Sequence, residues 1–273
     1  MGYEASAMRR TLALGTLVAA LAAAAPAEGS MRDARAWAGD RAGRVAFAVL
    51  RPGGRVSGLH ADTVYPAASV VKAMLLVAAL RAARDRPLTA TERAHLRPMI
   101  HVSDNAAARW VHTVLVGDAG LVALGRAAGM RQLVVLPGGL FSTGITAADQ
   151  VRLFAALERL IPARHLGYAE RLLRDIQACQ AWGIPAALRP LGYTVFFKGG
   201  WRTGLVNQVA LARSSDHQLA LAVLTSGSPS KGYAARTVAG IARRVTSSGR
   251  PSSGTNGPAD QSAARRGPAP CWP

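Results

Sequence analysis

The last third of the chain constrains the fold most, because three apolar segments follow one another there through short connections. The segments YTVFFKGG (193–200), LVNQVALAR (205–213) and QLALAVLTS (218–226) are predicted strands, and SSDH (214–217) is the predicted hairpin turn between the last two. The segment KGYAARTVAGIARRV (231–245) is a predicted closing helix. We therefore expect an antiparallel sheet that carries at least one helix.

The first two thirds add a hairpin and a long helical region. RVAFAVL (44–50) and RVSGLHA (55–61) are predicted strands joined by the turn RPGG, and a short helix is predicted within 31–39. The region of about 85–190 is helical in character with breaks, and includes a predicted helix over 168–180. Together these elements predict an α+β fold, in which an antiparallel sheet of about five strands is flanked by N- and C-terminal helices and carries an all-helical lobe.

Two sequence signatures mark helix starts within this lobe. Thr89 is followed three residues later by Glu92, which fits a capping box, although Thr91 is a rival cap. Thr146 is followed by Asp149 at the same spacing, so a second capping box is predicted. On this interpretation the carboxylate of Asp149 accepts a backbone hydrogen bond at the helix start.

The two ends of the chain predict processing and disorder. Arg9 and Arg10 precede an apolar run that ends in the small residues APA, a pattern typical of a secretory signal peptide over residues 1–27. We therefore expect a secreted or extracytoplasmic protein with no stable membrane span after cleavage, and a globular domain over 31–245. Residues 246–273 are rich in Gly, Ser and Pro, so a disordered tail is expected there.

The strong positive charge raises the question of an anionic partner. The formal net charge is +18, which would suit nucleic acid, a membrane surface or the anionic polymers of a cell wall. The arginines are scattered rather than clustered, and aromatic residues make up only 5% of the chain, so no RNA-binding signature is present. A soluble, arginine-rich surface is the favoured interpretation, and no nucleic-acid partner is predicted.

The cysteine content leaves two alternatives open. The chain has two cysteines, Cys179 and Cys271. In an oxidising compartment they could form a disulfide. Alternatively, Cys179 is a buried thiol and Cys271 is a loose one in the tail.

The lysines are the first residues to suggest chemistry. Of 33 basic residues only three are lysine, namely Lys72, Lys198 and Lys231. Lys72 lies in a predicted buried helix over 66–84, three residues after Ser69. A buried lysine can lose its proton and accept one from a serine, whereas arginine stays protonated. The alternative is that Ser69 caps the helix and the lysine reaches out to solvent.

Two further motifs follow in order along the chain. Ser103-Asp104-Asn105 lies between two predicted helices, and Lys198 ends a predicted strand before two glycines that would let a ligand approach the backbone. Each has a structural alternative: Asp104 could cap the next helix, and the glycines could form a turn at the strand end. No histidine spacing indicates a metal site, and no cofactor is predicted.

In this order, S-x-x-K, S-D-N and K-x-G resemble the motif set of class A β-lactamases and penicillin-binding proteins. The resemblance covers about residues 31–245 and implies their fold. It implies that Ser69 is the acylated nucleophile, Lys72 its proton acceptor and Ser103 the group that delivers a proton to the leaving nitrogen. Lys198 would face Ser103 and the substrate carboxylate, and Asn105 would hold the amide of the substrate.

The resemblance also implies substrate contacts along the strand that contains Lys198. The backbone N–H groups of Ser69 and Trp201 would form an oxyanion hole beside Gly200. Trp201 would either form a wall of the pocket or serve packing alone. Arg202 or Thr203 would replace a hydroxyl that the third motif lacks.

Two departures from the family pattern affect the predicted activity. The third motif contains Gly199 where the family has a threonine or serine that helps to bind a carboxylate. In addition, no glutamate occurs between Asn105 and Glu158, and the loop 131–145 is short and apolar, so a base for deacylation is missing.

The sequence therefore predicts a secreted serine hydrolase that is acylated on Ser69 by a β-lactam or a related, peptidoglycan-like amide and is slow to deacylate. A D-alanyl-D-alanine peptidase or an esterase is the alternative within the enzyme class. A non-catalytic penicillin-binding module is the alternative outside it.

Overall fold

A computed structural model describes residues 28–247 and Cys271. Within them the strands are β1 (Arg44–Leu50), β2 (Ser57–Leu59), β3 (Tyr65–Pro66), β4 (Gly144–Ile145), β5 (Thr194–Arg202), β6 (Leu205–Arg213) and β7 (Gln218–Ser226). The α-helices are α1 (Glu28–Gly39), α2 (Val71–Ala82), α3 (Ala90–His101), α4 (Asn105–Trp110), α5 (Gly117–Ala128), α6 (Ala147–Ala155), α7 (Leu157–Leu160), α8 (Ala163–Arg174), α9 (Ile184–Leu188) and α10 (Lys231–Thr246). The predicted signal peptide 1–27 and almost all of the predicted tail lie outside the described residues.

Five strands form one antiparallel sheet in the order β2-β1-β7-β6-β5, and β3 pairs with β4 in a separate two-stranded ribbon. The predicted sheet of about five strands is confirmed. β6 and β7 are buried along almost their whole length, which explains why both segments are nearly continuous in apolar residues. β5 is an edge strand that pairs only with β6, so its other edge faces the helical part of the molecule.

Helices cover both faces of the sheet. α1 and α10 pack against each other, and α10 contacts β6 and β7. α6 contacts β1, β6 and β7, and α8 packs against β5. Between β3 and β5 the chain is mainly helical, with β4 and the loop 131–145 among its non-helical parts, which gives the lobe that the sequence predicts.

Three predicted boundaries are wrong in detail. The segment predicted to start a helix at Pro66 begins as a 3₁₀ turn, Ala68–Val70, and only then continues as α2. The predicted helix over 168–180 is α8, which starts earlier, at Ala163 after Pro162, and ends at Arg174. The predicted strand 55–61 is reduced to the three residues of β2.

The two predicted capping boxes have different outcomes. Thr89 accepts a hydrogen bond from the amide of Glu92, and the Glu92 carboxylate accepts one from the amide of Thr89, so this box is confirmed. Thr146 caps α6, but the Asp149 carboxylate does not complete a box. It accepts hydrogen bonds from the amides of Arg131 and Gln132, at 2.8 Å each. Asp149 therefore anchors the start of the loop 131–145 to α6.

The helical run Asn105–Ala128 is long and apolar enough to cross a membrane by length and composition. It consists of α4, a π-helical turn over Val111–Val116, and α5. In this structure it is packed into the lobe, because Leu121 and Leu124 are buried in the core.

The two cysteines form a disulfide, so the first of the two alternatives holds. Cys179 lies in a 3₁₀ turn that follows α8, and its carbonyl also accepts a hydrogen bond from the amide of Cys271. The neighbouring Gln177 donates its amide to the carbonyl of His101, the last residue of α3. The disulfide thus joins the end of the chain to the segment that braces the end of α3.

Candidate active site

Ser69 lies in the tight turn that leads into α2. The residue before it, Ala68, has φ of 48°, a left-handed conformation that is costly for a residue with a Cβ atom. The turn is placed against β5 at Gly200, where an added Cβ atom would lie 2.6 Å from the amide nitrogen of Ser69 and 2.8 Å from that of Val70. Only glycine allows β5 to approach this closely. The Ser69 side chain is partly exposed and can be reached by a substrate.

Lys72 is the centre of the hydrogen-bond network. Its side chain is completely buried, and its Nζ atom lies 3.0 Å from Ser69 Oγ and 3.0 Å from Ser103 Oγ. Nζ also donates to Asn105 Oδ1 at 2.7 Å and to the carbonyl of Ser103. The structural alternative, a lysine that reaches out to solvent, is excluded. The side chains of Ser69, Ser103 and Asn105 come from two separate segments, and all three contact this one amine.

The environment of Lys72 increases the fraction of its amine that is neutral. Burial lowers the pKa of Lys72 to about 8; the negative charge of Asp104 raises this pKa, and the positive charge of Arg109 lowers it. At pH 7 about one-tenth of the lysines would then be neutral, compared with fewer than about one in a thousand at the ordinary lysine pKa. A proton acceptor is therefore available next to the Ser69 hydroxyl near neutral pH.

The S-D-N motif forms a strained connection between α3 and α4. Ser103 has φ of 62°, which turns its side chain and carbonyl toward Lys72. Asp104 caps α4, since its carboxylate accepts the amide of Ala107 at 2.6 Å. The structural role considered for Asp104 is thus confirmed, and it coexists with the placement of Ser103 and Asn105 on the cleft side.

Lys198 is buried on β5, and the hydrogen-bond partner of its amine differs from the predicted one. Among the described residues, its hydrogen bond goes to the carbonyl of Gly199, at 2.7 Å, rather than to Ser103. Burial lowers the pKa of Lys198 well below its ordinary value, and the positive charge of Lys72 lowers it further. The positive charge of Lys72 therefore acts on the amine of Lys198. The predicted contact of Lys198 with a substrate carboxylate would require this buried amine to become accessible.

Of the three residues that follow Gly200, the first packs against another side chain and the other two are exposed. Trp201 is partly buried and meets Trp182 edge to face, with ring centroids 6.0 Å apart. Trp201 therefore packs against Trp182, and its role as a wall of the pocket stays a prediction. Arg202 and Thr203 are exposed at the end of β5. β5 lies at the edge of the sheet, and the oxyanion role of Trp201 stays a prediction.

Phe141 is a site residue that the sequence alone does not indicate. The ring of Phe141 lies 5.3 Å from Lys72 Nζ and 5.2 Å from the guanidinium carbon of Arg109. Phe141 belongs to the loop 131–145, which contains no glutamate. An aromatic ring from this loop therefore lies beside Lys72. The only signal in the sequence was the apolar composition of the loop.

A sheet with a helical lobe, and a serine, a buried lysine and a second serine at their junction, are the features of the β-lactamase-like and penicillin-binding-protein-like serine hydrolases. Residues 90–248 match the model of the β-lactamase enzyme family (Beta-lactamase2), and the chain belongs to this family. The match includes Ser103 and Lys198 but begins after Lys72, so the assignment of Ser69 and Lys72 rests on the geometry above. No curated protein sequence matches the chain.

Several solved structures are similar to this one. A β-lactamase from Sphaerobacter thermophilus DSM 20745 has 22% identity and a TM-score of 0.66, with 79% of this chain and 95% of that chain covered. PBP-A has 18% identity and a TM-score of 0.69, with 81% and 96% covered. A variant of the class A β-lactamase of the last common ancestor of Gram-negative bacteria has 21% identity and a TM-score of 0.65, with 79% and 97% covered. The similarity to these structures confirms the predicted fold.

Proposed function

We propose that the protein is a serine hydrolase that forms an acyl-enzyme on Ser69 with β-lactams or related amides and esters, and that releases the acyl group slowly. The observation that carries the proposal is the position of Lys72 Nζ, 3.0 Å from both Ser69 Oγ and Ser103 Oγ in a buried environment. A nucleophile, a base and a second hydroxyl within hydrogen-bond reach are what acyl transfer requires.

In the acylation step, neutral Lys72 takes the proton of the Ser69 hydroxyl while Oγ attacks the substrate carbonyl. The carbonyl oxygen becomes negatively charged in the tetrahedral intermediate. The amides of Ser69 and Trp201 are the proposed donors to this oxygen, and each such donor contributes roughly 3–4 kcal/mol to catalysis in known hydrolases.

The proton taken by Lys72 has a direct route to the leaving group. Lys72 Nζ donates to Ser103 Oγ, and the Ser103 hydroxyl can pass its own proton to the leaving nitrogen or oxygen while it receives one from the lysine. The carbonyl–leaving-group bond breaks, the acyl group stays on Ser69, and Lys72 returns to its neutral form.

Slow release follows from the surroundings of the acyl group. Deacylation needs a base that activates water. The loop 131–145 contains no aspartate or glutamate, and it places the ring of Phe141 next to Lys72. The acidic residue at the start of α6, Asp149, is already engaged with the amides of Arg131 and Gln132.

We further propose that the protein acts outside the cytoplasm, after removal of a signal peptide over residues 1–27, and that peptidoglycan-like amides are among its substrates. The disulfide between Cys179 and Cys271 supports an oxidising compartment.

Burst kinetics with a chromogenic cephalosporin test the proposal. We expect a burst of about one equivalent of product per enzyme, followed by a much slower steady state. A fast steady state without a burst would contradict slow deacylation. Release of D-alanine from a muropeptide would identify the peptidase alternative, and saturable binding without any product would identify a non-catalytic module.

A further inference from the structure

An indole ring explains why a glycine follows Lys198. A Cβ atom added to Gly199 would lie 3.0 Å from Cζ2 and 3.2 Å from Cη2 of Trp182. Carbon atoms in proteins pack at about 3.5–4.0 Å, so even this first side-chain atom is too close. A threonine or serine, which adds further atoms, does not fit at position 199 while Trp182 keeps its place.

Trp182 is held in this position by the neighbouring strand. Gln208, which lies opposite Gly199 on β6, donates from Nε2 to the carbonyl of Trp182 at 2.8 Å. Its Oε1 accepts the amide of Ile184 at 2.6 Å. Trp182 is 8% exposed and also packs against Trp201. The indole is therefore a fixed part of the sheet surface behind Gly199.

The lysine beside this ring does not provide an accessible positive charge. The Lys198 side chain has no exposed surface, and its amine donates to the carbonyl of Gly199. Burial lowers the pKa of Lys198 well below its ordinary value, and the positive charge of Lys72 lowers it further. Arg202 is exposed at the strand end, where an ion pair formed in water contributes little.

We propose that Trp182 makes this site selective for acyl donors that carry no carboxylate beside the scissile bond, namely neutral amides and esters. A carboxylate placed along Gly199 would lose its hydration, while residue 199 offers it no hydroxyl and the amine of Lys198 is buried. A neutral group would lose much less hydration at the same place. This inference rests on the proposed acylation of Ser69.

Benzylpenicillin and its methyl ester are matched probes, because they differ only in this carboxylate. The rate of Ser69 acylation by each is measured by intact-mass spectrometry and divided by the rate of its reaction with hydroxide, which corrects for intrinsic reactivity. We expect the methyl ester to acylate wild-type protein at least as fast as the acid. In the variant Trp182→Ala/Gly199→Ser we expect the preference to shift toward the acid by about tenfold or more, because a hydrogen bond to a charged group becomes available. Trp182→Phe is the matched control, which keeps an aromatic cover and should keep the wild-type ratio.

The outcomes separate this inference from the proposed function. An acid that acylates wild-type protein tenfold faster than the ester would overturn the inference alone and leave the acyl-enzyme in place. If neither probe modifies Ser69, the proposed function fails, and the inference fails with it. The ratio of the corrected acylation rates by ester and acid in wild-type protein tests the inference even if the double variant does not fold.

Discussion

The amine nitrogen of Lys72 lies 3.0 Å from the hydroxyl oxygen of Ser69, and no part of the lysine side chain is exposed. Lys72 lies on α2 and Ser69 lies in the turn before it, so this contact brings the proposed base to the proposed nucleophile. Burial makes the lysine a base, and the turn before α2 leaves the serine accessible to a substrate.

Replacement of Lys72 by arginine should remove the base and keep the positive charge. We expect Lys72→Arg to slow the acylation of Ser69 by about 10²–10⁴-fold, since general-base catalysis contributes about that much. The measurement is the rate of the chromogenic burst at pH 8. The matched control is Lys231→Arg at the start of α10, which should acylate at the wild-type rate. An unchanged burst rate in Lys72→Arg would show that another group takes the proton.

The acylation rate should rise with pH through about 8. The pKa of Lys72 is lowered to about 8, so the amine is mainly protonated below that pH and mainly neutral above it. Because the neutral form is the base, the rate should increase about tenfold per pH unit well below pH 8 and level off above about pH 9. A rate that falls as the pH rises from 6 to 9 would contradict this assignment.

Removal of the Arg109 charge should move this profile. The positive charge of Arg109 lowers the pKa of Lys72, so Arg109→Gln should shift the midpoint of the acylation profile to higher pH. Arg126→Gln is the matched control, because Arg126 is an exposed arginine on α5, whereas the pKa of Lys72 is set by burial, Asp104 and Arg109. A midpoint that moves equally in both variants would point to net charge rather than to a local effect.

A carboxylate at position 141 should speed deacylation. Phe141→Glu would bring an acidic group near Lys72 and the acyl ester, where it can activate water. We expect the steady-state turnover of the chromogenic cephalosporin to rise by about tenfold or more and the burst to shrink. Phe141→Gln, with nearly the same shape and no base, should keep the slow steady state. If both variants accelerate turnover equally, access of water rather than a missing base limits the wild type.

The disulfide should contribute strongly to stability. A crosslink between residues 92 positions apart reduces the entropy of the unfolded chain, and loops of this size correspond to about 4 kcal/mol in the free energy of unfolding. Cys271→Ser should therefore lower the Tm by roughly 10 °C for a domain of this size. The double variant Cys179→Ser/Cys271→Ser should melt at about the same temperature as the single one. An unchanged Tm would indicate that the end of the chain stays docked without the crosslink.

The sheet, the lobe and the convergence of Ser69, Lys72 and Ser103 could be predicted because they rest on periodicity and on ordered motifs. Other features depend on partners that are distant in sequence. Gly199, where the family has a threonine or serine, lies against the ring of Trp182, 17 positions earlier, and the spacing does not reveal this contact. The predicted capping box of Thr146 and Asp149 is wrong. The sequence pattern does not show that an amide of the loop beginning at Arg131 binds the Asp149 carboxylate instead. The amine of Lys198 was placed by resemblance, whereas the structure shows it satisfied by the adjacent carbonyl.

Peptide mapping after incubation with benzylpenicillin tests the account most directly. The account predicts one acyl group per molecule, located on the peptide that contains Ser69 and lost in Ser69→Ala. An adduct on another residue, or protein that stays unmodified by benzylpenicillin and equally by its methyl ester at saturation, would contradict the claim that Ser69 and Lys72 form the nucleophile and base of this site.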